Sequence, residues 1–196
     1  MITRTLPALL APLALLLVLF WAPGPAARAQ ETAVPGLPWS PAELTDRLGR
    51  QFEFGSIEQA KGAVQEATRA GQLERAREIL GDLLILEYGL QIDAALAADD
   101  PASALPLIKQ SLAIRPKAVG LLRQRAEALL LLAEQTGRSG RSGAFVQSAF
   151  EDALRCFRDC PDDARSLFGQ SRAHWWLNRS AEALACAERG AALLRQ

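Results

Sequence analysis

The chain has 196 residues, enough for one domain with an appended segment, and its 22 basic and 22 acidic residues balance. A nucleic-acid interface needs positive charge clustered on one face, so we expect neither DNA nor RNA as a partner. Alanine and leucine dominate the sequence, and arginine supplies almost all of the basic charge. These strong helix formers predict an all-α fold.

The first thirty residues have the layout of a secretory signal peptide. After a short positive start, the apolar run LALLLVLFW at 13–21 is broken by PGP at 23–25, and the sequence ARA follows at 27–29. Small residues in this arrangement mark a cleavage site, so we predict a signal peptide over 1–29 and a periplasmic or secreted mature protein. The alternative is an uncleaved membrane anchor, because the apolar stretch 6–22 approaches the shortest bilayer-spanning length, roughly 17 residues.

Residues 30–55 are predicted to form a linker and a short capping helix. Prolines in the stretch up to Trp39 favour an extended chain. Ser40, Pro41 and Glu43 then provide an N-cap, a proline at the first helical position and a glutamate at the third. We expect this helix to pack on the helices that follow it.

From residue 56 to residue 196 the sequence predicts helices in pairs. Apolar residues recur at spacings of three and four, and Gly, Asp and Pro residues separate the periodic segments. The predicted pairs are 56–69 with 71–84; 85–98 with a helix between the 99–101 turn and Pro116; 119–136 with a helix between the 137–143 loop and Pro161; and 164–177 with 181–194.

This pattern is similar to the tetratricopeptide repeat (TPR), a unit of about 34 residues with two antiparallel helices. Each second helix carries a small residue that lets the two helices approach closely, and these residues are Ala76, Ala104, Ala149 and Ala183. The resemblance implies a right-handed α-solenoid of about four repeats, whose first helices line a concave groove. Ala76 and Ala104 are only 28 residues apart, which leaves two helices or one continuous helix around 81–85 as alternatives.

One side of the predicted helix 164–177 and the turn after it combines arginines with aromatic residues. The predicted partner-binding residues are Arg165, Phe168, Arg172, Trp175, Trp176 and Arg179. The resemblance implies that they face the groove, where arginine can bind a carboxylate bidentately and the rings can bury apolar side chains. Alternatively, Phe168 and one tryptophan are core residues between repeats. The corresponding positions on earlier first helices are less aromatic and include Gly89, Asp93, Gly120, Arg123 and Glu127.

The residues that could support catalysis or metal binding do not form a convincing set. His174 is the only histidine, and Ser171 beside it falls in a small packing position against Ala183. Cys156 and Cys186 are predicted to be packing residues, and the odd number of cysteines leaves at least one thiol free. A redox pair or metal site is the alternative, although no four-ligand zinc set is complete. We therefore expect no enzyme and no cofactor.

These features together predict an exported, non-enzymatic scaffold that binds another protein or peptide of the cell envelope in its groove. The alternative is an accessory solute-binding or enzyme-associated protein with a small-molecule pocket. Membrane contact is expected only if the N-terminal segment stays uncleaved. A homodimer through the last helix is a further alternative, because apolar residues lie on a face that no later repeat covers: Leu184, Ala187, Ala191 and Leu194.

N-terminal sequencing tests the predicted export. Protein extracted from the cell envelope should begin at Gln30, because cleavage follows the small residue Ala29. An intact Met1 in the membrane fraction would show instead that the segment is an anchor.

Overall fold

A computed structural model describes residues 34–140 and 143–195, and within these ranges the chain forms eight α-helices and no strand. The helices are α1 (Pro41–Leu48), α2 (Ile57–Arg69), α3 (Leu73–Ala97), α4 (Pro101–Ile114), α5 (Val119–Arg138), α6 (Gly143–Arg158), α7 (Ala164–Trp176) and α8 (Ser180–Leu193). The all-α prediction is confirmed. The predicted signal peptide and its cleavage site lie outside the described residues. None of the helices in the described ranges combines the length and the apolar character needed to cross a membrane.

Local capping signals explain where several helices begin. At α1, the Ser40 hydroxyl accepts a hydrogen bond from the Glu43 amide at 3.3 Å, and the Glu43 carboxylate accepts one from the Ser40 amide at 2.8 Å. This reciprocal pair is the capping box that the sequence predicts. The side chains of Asp100 and Asp163 cap α4 and α7 in a similar way.

Helix α3 is a single helix of 25 residues. The predicted division into separate helices at 71–84 and 85–98 is therefore wrong, and the continuous alternative is confirmed. No proline occurs between Leu73 and Ala97 to end the helix. Gly81, near the middle, allows the close approach of α4, because a Cβ at this position would lie 2.9 Å from Ile114 Cγ2.

The predicted loop at 137–143 is shorter than expected. Helix α5 continues through Arg138, and α6 begins at Gly143. Gly137 therefore lies within a helix, where a Cβ would meet Val146 Cγ1 of α6 at 3.6 Å.

Consecutive helices from α2 to α8 pack against each other across short turns. The four alanines predicted at the helix contacts, Ala76, Ala104, Ala149 and Ala183, are all buried. Additional contacts join α5 to α7, and α1 to both α3 and α5. Residues 34–195, in the described ranges, belong to one compact unit.

Three clusters of buried apolar residues hold this unit together. The first joins α5, α6 and α7 and includes Phe150 and Phe157. The second joins residues 34–48 to α3 and the start of α5 through Trp39, Leu48 and Leu121. The third lies between α3, α4 and α5. Helix α5 contributes to all three clusters.

The packing of α6 against α7 depends on Gly169. A Cβ at this position would lie 2.6 Å from Phe157 Cε2, and the Phe157 ring is fully buried. Such a ring has no free space to move into, because protein interiors are close-packed.

Gly169→Ala should therefore destabilise the fold by about 1–3 kcal/mol, the usual cost of overpacking. For a chain of this size, we expect the melting temperature to fall by about 2–4 °C for each kcal/mol of lost stability. The control is Gly62→Ala in α2, where a Cβ would meet nothing within 4 Å. Better helix propensity should leave that variant as stable as the parent or slightly more stable. Equal melting temperatures for both variants would contradict the predicted clash.

Candidate functional site

The predicted partner-binding residues lie on and just after α7. Asp163 starts this helix by accepting a hydrogen bond from the Ser166 amide at 2.7 Å. The helix ends at Trp176, and the backbone then turns through Asn178, whose φ of 57° is in the left-handed region. Arg179 lies beyond this turn, at the N-cap of α8. The six residues therefore share one helix and the turn after it, but they have different surroundings.

All three arginines of the set bind carboxylates of the same chain. Arg165 holds Glu127 of α5 bidentately, with Nε to Oε1 at 2.6 Å and Nη2 to Oε2 at 2.8 Å. Arg172 Nη2 donates to Glu134 Oε1 at 2.7 Å, one heptad further along both helices. Arg179 pairs with Glu151 of α6. The carboxylates expected from a partner are supplied internally.

These ion pairs join the two helices that would line the groove. Arg165 and Arg172 are seven residues apart on α7, and their partners Glu127 and Glu134 are seven apart on α5. Two helical turns separate the members of each pair, so the contacts repeat in register along the two helices. The arginines therefore fix how α7 lies beside α5.

Two of the three aromatic residues contribute to packing between helices. Phe168 is half-buried and lies against α8, because a Cβ on Gly190 would meet Phe168 Cζ at 3.3 Å. Trp176 stacks on the buried Phe150 ring of α6, with centroids 5.6 Å apart and an interplanar angle of 14°. This arrangement agrees with the alternative that Phe168 and one tryptophan are packing residues.

Trp175 is different, because 55% of its surface is exposed. The neighbouring Trp176 retains 39% exposure despite its stacking on Phe150. Two depressions lie beside these rings. One, of about 280 Å³, is lined by Trp176, Phe150 and Arg179 among others; the second, of about 390 Å³, is lined by Trp175, Trp176, Asn178 and Ser180. We call this surface, formed by Trp175, Trp176, Asn178 and Ser180, the tryptophan edge.

Neither depression is an enclosed cavity. Small-molecule sites in proteins usually bury most of the ligand surface. A small molecule in either depression would keep part of its surface in solvent.

Ser171 and His174 are not arranged as a nucleophile and a base. The Ser171 hydroxyl donates to the Ala183 carbonyl of α8 at 2.8 Å, as expected for a residue at the helix contact. His174 is buried, and its Nδ1 has no hydrogen-bond partner among the described residues. Burial is the main cause that lowers the pKa of this imidazole from 6.5.

All three cysteines are buried free thiols. The Cys160 thiol donates to the Cys156 carbonyl at 3.3 Å. Burial raises the pKa of Cys160 to about 11 and also raises the pKa of Cys156 and Cys186. The reactive thiolate form is therefore disfavoured at neutral pH.

The groove between α3 and α5 is occupied by the chain itself. Residues 34–50, which we call the N-terminal arm, comprise a turn at 34–37, closed by the Leu37 amide donating to the Val34 carbonyl at 3.0 Å, then a short stretch to Trp39 and α1. The prediction of an extended linker is therefore wrong for residues 34–37. The Trp39 ring packs against Gly89 of α3, where a Cβ would meet Trp39 Cη2 at 2.8 Å. The backbone of α1 crosses Gly120 of α5, where a Cβ would meet the Asp46 carbonyl carbon at 3.0 Å. Two predicted groove positions are thus covered by the arm.

The sequence analysis did not identify Trp39 and Arg47 as residues that contact the groove. The signal that could have indicated Trp39 is its position just before the capping box. A hydrophobic residue there often packs against the fourth helical residue, which is Leu44 in α1. Trp39 and Leu44 do belong to one buried cluster.

No protein-family model, curated protein or solved structure matches this chain.

The pH dependence of stability tests the environment of His174. Because its pKa in the folded state is lowered, the unfolded chain takes up the proton first as the pH falls. The stability associated with the neutral imidazole is therefore present above about pH 6.5 and is lost as the pH falls through that value. Glu182 and Glu151 oppose this effect, and Arg179 and Arg158 reinforce it.

Thermal denaturation at about pH 7.5 and about pH 5.5 gives the measurement. His174→Gln cannot titrate at this position. Its melting temperature should therefore fall less between about pH 7.5 and about pH 5.5 than the melting temperature of the parent does. An identical loss in both proteins would show that His174 does not contribute.

Proposed function

We propose that the chain is an exported helical scaffold that binds another protein of the cell envelope through the tryptophan edge. The architecture that we propose is a right-handed α-solenoid of TPR-like hairpins. The successive packing of α2 to α8 and the buried alanines at the helix contacts support this architecture. The layout of residues 1–29 supports export.

The observation that carries the binding proposal is the exposure of Trp175. A tryptophan that is 55% exposed leaves a large apolar ring in water, and here a second, partly exposed tryptophan lies next to it. Tryptophan is enriched among the residues that supply most of the energy of protein interfaces. The two open depressions beside the rings give a partner side chain a place to insert.

The arginines have a supporting role in this proposal. Since Arg165 and Arg172 already hold carboxylates of α5, they fix the helix that carries Trp175. A partner would therefore meet a preorganised surface, which reduces the entropy lost on binding.

A pair of alanine variants separates binding from stability. Trp175→Ala should leave the melting temperature nearly unchanged, because the ring is mostly in solvent, and should abolish partner binding. Trp176→Ala should lower the melting temperature, because it removes the ring that stacks on Phe150; aromatic pairs contribute about 0.5–1.5 kcal/mol beyond the area they bury. A large loss of stability for Trp175→Ala would mean that this residue is packed and is not free for a partner.

Site-specific photocrosslinking identifies the partner. A photoreactive amino acid at position 175, in cells that express the full chain, should yield a discrete crosslinked product with an envelope protein. The control places the same group at Gln110, an exposed position on α4. Products of equal size and yield at both positions, or none at 175, would contradict the proposal.

A further inference from the structure

The N-terminal arm shows which chemistry the groove between α3 and α5 can recognise. The Trp39 indole N–H donates to Asp93 Oδ2 at 2.8 Å. Arg47 Nη2 binds both oxygens of the same carboxylate, at 2.8 and 2.6 Å. Its guanidinium lies over the Trp39 ring, 4.2 Å from the centroid. One aspartate of the groove therefore binds a tryptophan and an arginine that stack on each other.

The groove around Asp93 is shaped for a backbone and a large ring. Gly89 and Gly120 leave no side chain where the Trp39 ring and the α1 backbone lie. Gln124 of α5 supports Asp93 by donating to its Oδ1 at 2.7 Å. A side chain at Gly89 would push the Trp39 ring away, and one at Gly120 would force the α1 backbone to shift. These contacts form a site made of residues from two helices that are far apart in sequence.

The arm leaves part of this site unsatisfied. Arg47 Nη1 and Gln124 Oε1 are buried, and neither has a hydrogen-bond partner among the described residues. A buried polar group without a partner weakens an interface. A different segment that donates to Gln124 Oε1 of the groove, and whose own polar groups all find partners, would therefore bind better than the arm does.

We propose that the groove between α3 and α5 is a recognition site for a protein segment that presents a tryptophan and, eight residues later, an arginine. Residues 34–50 are its resident ligand. A partner segment of the same chemistry binds there by displacing the arm. This site is distinct from the tryptophan edge and goes beyond the proposed function.

The hinge for such a displacement lies just after the arm. Residues 51–54 have no helical structure, and Ser56 caps the next helix. Arg50 is anchored on the buried Asp82, with Nε to Oδ2 at 3.0 Å, and Arg115 holds the other oxygen of that carboxylate at 2.9 Å. Asp82 thus retains Arg50, the last residue of the arm. Displacement of residues 34–49 requires the incoming segment to cover the apolar surface that Leu44 and Leu48 bury in the resident arm.

Peptide binding to the full chain tests the proposal. The probe is a fluorescent synthetic peptide with the sequence of residues 34–50, measured by anisotropy. In the parent, the resident arm competes and should keep binding weak. In the variant Trp39→Ala with Arg47→Ala, the arm loses its contacts with Asp93, and the affinity for the peptide should rise at least about tenfold, because more of the protein is in the open state.

Control variants make the result specific to this groove. Asp93→Asn, added to the double variant, should lower peptide affinity about tenfold or more, whereas Asp99→Asn, at an exposed turn, should have no effect. A peptide with alanine in place of its tryptophan should not bind. Trp175→Ala should leave peptide binding unchanged, so failure here is distinguishable from failure of the tryptophan edge.

Circular dichroism must show that the double variant is folded. If the double variant does not fold, a second variant is used, in which a protease site is inserted between Phe54 and Gly55 of the otherwise unchanged chain. Cleavage at this site should let the labelled peptide exchange with the arm. A dimer that dissociates when Trp39 and Arg47 are replaced would also support the site, with a second copy as the source of the ligand. No peptide binding to a folded double variant or to the cleaved chain, or binding that is insensitive to Asp93→Asn, would overturn the proposal.

Discussion

Close packing around helix α5 is the constraint on which the rest of the structure depends. This helix contacts α1, α4, α6 and α7. Its fully buried alanines make this possible, because Ala126 and Ala133 lie in the cluster with α6 and Ala128 lies in the cluster with α4. The distance between packed helices is set by the side chains at their contact. A larger residue at any of these alanines would move a neighbouring helix and with it part of the candidate surface.

The same helix also determines which charges are available to a partner. Glu127 and Glu134 of α5 hold Arg165 and Arg172 of α7. An exposed ion pair contributes only about 0–1 kcal/mol. Glu134 is 7% exposed in its side chain, however, and a buried carboxylate without a partner is costly. The arginines of α7 are therefore better explained as structural partners of α5 than as free ligands, and Trp175 remains the most exposed aromatic residue of the predicted set.

Local signals in the sequence were enough to predict most of the helices and several of their ends, although the division of α3 into two helices was wrong. The capping residues Ser40 and Asp163 act within three residues of themselves, so a short stretch of sequence contains the whole interaction. The position of the N-terminal arm could not be predicted in this way. The Trp39 indole and its acceptor Asp93 are 54 residues apart, and nothing near Trp39 indicates which helix it meets. The same limit applies to Arg165, since helical periodicity places it on a face but does not identify Glu127 as its partner.

Helix α3 has a consequence for how the chain unfolds. With 25 residues and about 1.5 Å of rise per residue, it is nearly 40 Å long, and it packs with both α2 and α4. In arrays of separate repeats, stability is approximately a sum of local terms, and terminal units can unfold alone. Here the first hairpin and the next share one uninterrupted helix. Loss of order cannot stop at a turn between them, so hydrogen exchange in α2, α3 and α4 should follow a common cooperative opening.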